Sequence, residues 1–485
     1  MLATSAVQAG DGWVEVRTPD VHVISNVRAS RALSVAGRVA DHRLAINALF
    51  PAASTHSRAP VPLLLLDDAA WRAYGPFCVE PCSGAAIHSD DRTYLVARGD
   101  GDARVTLETV FHELTHRIIY EDMQGIRPAW FHEGVSELFC SVSREKGKLK
   151  VGAPPQGTLR VLRSSSWLPL AHVLGVERGA DHDMGGPFYA QSWLMVHYTR
   201  LENPARFAQL NRYMDLRARG ESVDSAIDEA FSGEADELDA ELRAYSRRKS
   251  FNLVQLELPP SIALTKADAR PLTPVEGNTH LAEVLVAMRR VDRPATRLHA
   301  DLVRLAGTRS TAALLAAVAH EFQHNTGAAQ ELVDENCSGT FADAETPRLC
   351  GDAYALRVSY REGSADADIQ EWTLKARAFY YEALRMDSGD IPSLFSLART
   401  YLVFPGEGSG DVRARLEQFV RESPGNSVAL MLLGGLVAHE DAQQGKVYLD
   451  QALARASTAE QRELIMSALR SIDESIAASH QGAGL

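Results

Sequence analysis

The pentapeptide His-Glu-x-x-His occurs twice in this chain of 485 residues, at 112–116 and at 320–324. A helix advances about 100° per residue, so histidines four positions apart lie on one helix face and can bind one metal ion. The glutamate between them then points toward a water molecule on that ion. A pattern this short also arises by chance, so the surrounding sequence has to decide which copy holds a metal.

The first copy is followed by a second helix that carries a further carboxylate. Residues 106–120 space their apolar side chains as an amphipathic helix does, and a segment containing Gly and Pro ends it. Glu133 begins the next helix, which a short loop allows to fold back beside the first. A catalytic zinc site uses three protein ligands and leaves one position open. His112, His116 and Glu133 complete such a set, so zinc is the expected cofactor.

Two more glutamates stand where this chemistry needs them. Glu113 directly follows His112, which turns it toward the water on the metal rather than toward the metal. As a general base it would take a proton from that water and pass it to the departing amine, so its loss should cost orders of magnitude in rate. Glu137 lies one helical turn after Glu133 on the same face. There it can accept a ring N–H from a ligand histidine and fix the tautomer of that ring.

The segments HELTH and WFHEGVSELF together resemble the gluzincin metallopeptidases, which include thermolysin and related aminopeptidases. The resemblance is closest to the bacterial peptidase MA-like domains, some of which carry tetratricopeptide repeats. It is specific over residues 105–140 and looser over 12–104 and 158–250. It implies an α+β, thermolysin-like catalytic domain that hydrolyses peptide bonds with the help of zinc.

The resemblance also implies a role for each polar residue of the two helices. In those families the two histidines and the later glutamate bind zinc, and the glutamate inside the pentapeptide is the general base. These roles are carried to His112, His116 and Glu133 as ligands and to Glu113 as base. Glu137 matches the carboxylate that supports the first histidine.

Two further contacts with substrate are expected. Zinc alone stabilises the oxyanion of the tetrahedral intermediate incompletely, so a second donor is needed. Tyr189 is the candidate, because a tyrosine at a comparable position has this role in several gluzincins, and His197 is the second choice; alternatively, both only pack within their helix. An edge strand before the zinc helix pairs with extended substrate in such enzymes, and residues 92–99 occupy that position.

Changes of pattern divide the chain into four segments. Residues 1–105 alternate strands and a helix as an N-terminal α/β lobe, and residues 106–257 form the zinc-binding helical lobe. Residues 258–278 are rich in Pro and lack periodicity, which predicts a linker. Residues 279–485 are predicted to be helix packed on helix.

The C-terminal segment resembles tetratricopeptide repeats. The spacing from Ser388 to Leu397 recurs from Pro424 to Leu433. Each helix pair of such a repeat has an apolar face that only a neighbouring pair covers, so a helical repeat domain able to bind a protein partner is predicted. The second pentapeptide lies in an apolar helix of this region, and no tryptophan-led glutamate helix follows it. We therefore interpret residues 320–324 as solvated repeat surface rather than as a metal site.

Composition limits the partners and the compartment. A formal net charge of −13 argues against nucleic acid and against anionic membrane surfaces. No segment approaches the ~20 apolar residues that span a bilayer, so a soluble protein is predicted. Cys78 with Cys82 and Cys337 with Cys350 are either disulfides of an oxidising compartment or buried thiols. The first option slightly favours an extracytoplasmic location.

Three functions compete at this point. The intact ligand set with Glu113 favours an active zinc peptidase whose repeats recruit a protein substrate. An interaction scaffold with a weakly active zinc domain is the second, although neither HELTH nor HEGVSE is degenerate. A metal-dependent hydrolase of a non-peptide amide is the third.

Overall fold

The computed structural model describes residues 12–49, 60–76, 83–88, 92–122, 128–164, 166–176, 185–258, 268–360, 365–456 and 459–482. The strands in these ranges are β1 (Trp13–Arg17), β2 (Val21–Ser25), β3 (Val61–Leu66), β4 (Gly84–His88), β5 (Thr93–Arg98), β6 (Ser143–Glu145), β7 (Lys148–Val151), β8 (Val254–Glu257) and β9 (Ala269–Leu272).

The chain forms a mixed α/β structure in which helices predominate. The helices before β8 are α1 (Ala29–Leu49), α2 (Asp68–Tyr74), α3 (Ala103–Asp122), α4 (Ala129–Cys140), α5 (Thr158–Leu162), α6 (Leu170–Gly175), α7 (Gly186–Leu201), α8 (Pro204–Ala218), α9 (Val223–Phe231) and α10 (Ala235–Ser246). The helices after β9 are α11 (Pro274–Ala287), α12 (Arg293–Ala306), α13 (Thr311–Phe322), α14 (Thr326–Asn336), α15 (Glu345–Ser359), α16 (Asp366–Met386), α17 (Ile391–Val403), α18 (Ser409–Glu422), α19 (Ser427–Ala438), α20 (Ala442–Leu453) and α21 (Ala459–Gly482). Of the helices in these ranges, none combines the length and the apolar content required to traverse a bilayer.

A six-stranded sheet has the strand order β4-β5-β3-β2-β1-β9. β2, β3 and β5 are parallel, whereas β4, β1 and β9 are antiparallel to their neighbours. The prediction that residues 92–99 form the edge strand is wrong, because they form β5, an inner strand, and β4 is the edge beside α3. The sequence Gly-Ala-Ala-Ile-His of β4 was missed because it has few of the β-branched and aromatic residues typical of strands.

Both faces of this sheet are covered by helices. Successive residues of a strand point to opposite faces, so Leu63 and Leu95 pack with α1 and α3 on one side. Leu64 and Val96 pack on the other side, in one apolar core with α11 and the helices that follow it. Among the C-terminal helices, α11 therefore packs on this face of the sheet, and the later helices continue the same apolar core.

The predicted linker, 258–278, contains regular structure in its described part. β9 pairs with β1 at the far edge of the sheet, where Pro271 is tolerated because an edge residue has no ladder bond to donate on its outer side. α11 follows directly. Gly277 of that helix lies against Trp13, where an added Cβ would approach a ring carbon to 2.1 Å. Over residues 268–278, an edge strand and a tightly docked helix therefore replace the predicted linker.

Helices α11–α21, here called the helical array, pack chiefly on their neighbours in sequence. Leu397 and Leu433, the positions related by the repeated spacing, are both fully buried. Gly434 of α19 and Gly445 of α20 let these two helices approach closely, since a Cβ on Gly434 would lie 3.0 Å from the Gly445 carbonyl oxygen. Each helix thus covers the apolar face of the next.

The second His-Glu-x-x-His copy does not keep its histidines on one helix face. α13 ends at Phe322, and His324 lies beyond it with a left-handed φ of 56°. Glu321 is buried and accepts a hydrogen bond of 2.6 Å from Nε of Arg357 on α15. The interpretation of this segment as solvated surface is therefore wrong for Glu321, whose charge is neutralised inside the array.

Arg357→Met is expected to lower the free energy of unfolding by about 3–5 kcal/mol, because Glu321 would stay buried without its ionic partner. The side chains of Arg357 and Glu321 are only 4% and 2% exposed, so solvent screens the pair little. Urea denaturation followed by circular dichroism measures the change. The double variant Arg357→Met/Glu321→Leu should be more stable than the single one, and a single variant as stable as the wild type would refute the argument.

The Cys337 and Cys350 pair is a disulfide. Cys337, at the end of α14, is joined to Cys350 in α15 across a sequence separation of 13 residues. Cys140 is a free thiol, and its burial raises its pKa well above the ordinary value. Cys78 and Cys82 lie outside the described residues.

Candidate metal centre

The centre is formed where α4 packs on α3. Nearly every residue of α4 is buried, so its polar side chains must find partners inside the protein. α3 is fixed from behind by His42 of α1, whose Nε2 lies 2.9 Å from Oγ1 of Thr115. Burial lowers the pKa of His42 to about 3, so this ring is neutral in the contact.

Three side chains bring their donor atoms together between the two helices. Nε2 of His112 and Nε2 of His116 lie 3.0 Å apart, and they lie 3.1 and 3.3 Å from Oε2 of Glu133, respectively. A tetrahedral zinc with bonds of about 2.0–2.1 Å places its ligand atoms about 3.3 Å apart. The spacing of the three atoms therefore fits one zinc ion bound by all of them.

The electrostatics of the centre favour a cation. Oε2 of Glu133 is buried and accepts no well-directed hydrogen bond. Burial raises the pKa of Glu133, but His116 and His112 outweigh burial and hold that pKa far below its ordinary value. Burial lowers the pKa of His112, yet contacts with Glu133 and Glu137 raise it well above its ordinary value. An ionised carboxylate and two imidazoles in an electronegative setting are a donor set that suits zinc.

The ligand side chains are not sealed from solvent. His112 is 15% exposed, His116 11% and Glu133 12%. A structural zinc site is closed by four protein ligands, whereas a catalytic site keeps one position for water or substrate. The partial exposure of the three candidate ligands is compatible with the second arrangement.

Each histidine has a partner on its other ring nitrogen. Oε1 of Glu137 lies 3.1 Å from Nδ1 of His112, the contact that the sequence predicted. Oγ of Ser136 lies 3.2 Å from Nδ1 of His116, and sequence reasoning missed it. A serine three positions after Glu133, on the helix face that also carries Glu137, was the available signal. In both contacts, a proton on Nδ1 leaves the lone pair on Nε2, the atom that would bind metal.

Glu113 lies on α3 between the two ligand histidines, and its side chain meets the edge of the sheet. The backbone N–H of Ala86 in β4 donates a hydrogen bond of 3.1 Å to Oε2 of Glu113. The predicted base thus lies between the ligand helix and the strand edge.

Tyr189 lies beside the centre. It occupies the first turn of α7, and its ring centroid is 6.2 Å from that of His112. The tyrosine is partly buried, so its ring borders the centre without closing it. Its position is compatible with the predicted donor to an oxyanion.

His197 is turned away from the centre, which excludes the second-choice donor. Its Nε2 lies 3.0 Å from the Asn252 carbonyl oxygen, and its Nδ1 lies 3.0 Å from the hydroxyl of Tyr245. Burial lowers the pKa of His197 to about 4. His132 is buried as well and stacks on His116 at a centroid distance of 6.4 Å. Both rings therefore contribute to packing.

Gly134→Ala is expected to destabilise the protein by about 1–3 kcal/mol and to weaken metal binding, because overpacking separates α4 from α7. A Cβ at Gly134 would lie 2.4 Å from the Ser192 carbonyl oxygen and 2.6 Å from a methyl carbon of Val196. Thermal unfolding and zinc titration measure both effects. Gly327→Ala is the matched control, since no atom lies within 4 Å of its added Cβ. Equal stability of the two variants would contradict the prediction.

Neither a family model, nor a curated protein, nor a solved structure matches this chain. Within the described residues, the one group of three or more metal-ligating side chains with converging donor atoms is His112, His116 and Glu133. The assignment of function therefore depends on the geometry of this centre.

Proposed function

We propose that this protein is a zinc-dependent peptidase of the gluzincin type. The observation that carries the proposal is the convergence of His112, His116 and Glu133 with Glu113 beside them. When bound, zinc supplies a water of lowered pKa and polarises the carbonyl of the substrate. Peptide bonds are the natural target of this combination.

The residues around the ligands have separate roles in proton transfer and in charge stabilisation. Glu113 takes the proton of the attacking water and delivers it to the departing amine. Glu137 and Ser136 hold the two imidazoles in the tautomer that leaves Nε2 for metal. The hydroxyl of Tyr189 donates to the oxygen that becomes negative in the tetrahedral intermediate.

The substrate is proposed to bind as an additional strand on β4. β4 is an edge strand and lies against α3, so its outer row of backbone groups runs beside the centre. Pairing of this kind reads the backbone of an extended peptide rather than its sequence. Segments without stable structure of their own are the substrates that fit.

The helical array is proposed to be a tetratricopeptide-like module that recruits the protein substrate or a partner. Its support is the repeated spacing between buried positions and the stacking of helix on helix. The Cys337–Cys350 disulfide supports an extracytoplasmic location, because disulfides persist in oxidising compartments.

Metal analysis and cleavage of a panel of unfolded proteins test the proposal. The purified full chain should contain one zinc and cut these proteins, and a chelator should abolish cleavage until zinc is restored. Zinc without cleavage of any panel member would refute the peptidase and favour the interaction scaffold. Cleavage restricted to non-peptide amides would instead support a metal-dependent hydrolase of such amides.

A further inference from the structure

The outer edge of β4 has a defined set of backbone groups. Neighbouring residues of a strand direct their N–H groups to opposite sides. The N–H of Ala86 points to Glu113 and hence away from β5, so the flanking Ala85 and Ile87 are the residues that bond to β5. Ala86 is therefore an outward donor of β4, and its N–H reaches the predicted base.

The carboxylate of Glu113 accepts the hydrogen bond of this N–H. A backbone N–H has one proton and makes one strong hydrogen bond at a time. A peptide that adds to β4 through Ala86 brings a carbonyl oxygen to the same N–H. Glu113 and the incoming strand thus compete for one group.

We propose that the backbone N–H of Ala86 determines specificity by holding the carboxylate of Glu113 until an extended peptide displaces it. This inference rests on the proposed function, and it names the substrate class as extended peptides long enough to pair with β4. Such a substrate releases the base on which its own cleavage depends. A short amide that does not reach Ala86 leaves Glu113 bound to the strand and is cut slowly.

The exchange requires little movement of the protein. Gly84 lies against α3, where an added Cβ would meet a methyl carbon of Thr109 at 2.5 Å, so β4 is held in place beside the zinc helix. The bonds from Ala85 and Ile87 to β5 are not involved in the exchange. A rotation of the Glu113 side chain is sufficient to free it.

Removal of the donor tests the proposal in the full, zinc-loaded protein. Ala86→Pro deletes the N–H and fits an outward position of an edge strand. For a blocked dipeptide amide, kcat should rise roughly tenfold, the effect of releasing one hydrogen bond to a charged group. For an unstructured ten-residue peptide, kcat/KM should stay within about threefold of the wild type, because the variant loses one strand bond but no longer has to break the bond to Glu113. Gly327→Ala, whose added Cβ has no atom within 4 Å, is the control and should match the wild type with both substrates.

An unchanged or lower kcat of Ala86→Pro with the dipeptide amide would overturn the proposal.

Amide hydrogen exchange gives a second readout that needs no activity. The Ala86 amide should exchange at least about tenfold faster in Glu113→Ala than in the wild type, because its acceptor is gone. Equal exchange rates would also overturn the proposal. A wild type that binds no zinc and cuts neither substrate would refute the proposed function, while the exchange result would still decide whether Glu113 holds Ala86.

Discussion

Glu113→Gln is expected to lower kcat by about 10³-fold with zinc still bound. Glutamine has nearly the same shape but cannot accept the proton of the attacking water, and general base catalysis contributes roughly 10²–10⁴-fold to a rate. His112, His116 and Glu133 are untouched, so the zinc content should stay at that of the wild type. Steady-state cleavage of an unfolded protein, together with metal analysis of the same sample, measures both quantities.

The matched control is Glu108→Gln. Glu108 is on the same helix, but its carboxylate pairs with Arg104 rather than meeting the metal centre. Its replacement changes the charge of α3 by the same amount and should leave kcat within about twofold, since exposed pairs of this kind contribute little. Equal activity of Glu113→Gln and Glu108→Gln would remove Glu113 as the base.

Glu133→Gln is expected to weaken zinc binding by roughly 100-fold or more. Structural zinc sites are bound with about 10–16 kcal/mol through four ligands, or roughly 3 kcal/mol per ligand. Weaker zinc binding also reduces the stability that zinc gives to the folded protein. Zinc at about 1,000 times its dissociation constant stabilises a folded protein by about 4 kcal/mol, and this gain should largely vanish in the variant. Competition with a chromogenic chelator gives the affinity, and thermal unfolding with and without zinc gives the stability.

Two variants separate this effect from a general loss of structure. Glu137→Gln weakens only the support of His112, so its zinc affinity should fall by about 10- to 100-fold. His320→Ala alters the second pentapeptide and should leave zinc affinity unchanged. A zinc affinity that depends on His320 and not on Glu133 would place the metal at residues 320–324 and would contradict the assignment to residues 112–116.

The parts of the centre that local sequence specifies were predictable. The helix period alone puts His112 and His116 on one face, and Glu137 one turn after Glu133. Two helices that follow each other in sequence then need only a tight connection to bring the four side chains together. The structure places all four in contact.

The parts that depend on distant segments were not predictable from one sequence. β4 has little strand propensity of its own and is formed by its pairing with β5. Glu321 is separated by 36 residues from Arg357, so no local pattern shows that its charge is neutralised inside the array. His197 shows the same limit, since its partner Asn252 comes from 55 residues further along the chain.

The sheet buried between two helical layers links events on its opposite sides. Tyr94 of β5, the strand that supports β4, donates a hydrogen bond of 2.7 Å to Glu283 of α11. A ligand that binds the array and opposes local opening of α11 is therefore expected also to oppose fraying of β5 and β4. By reciprocity, a ligand that binds β4 should stabilise the array by the same free energy.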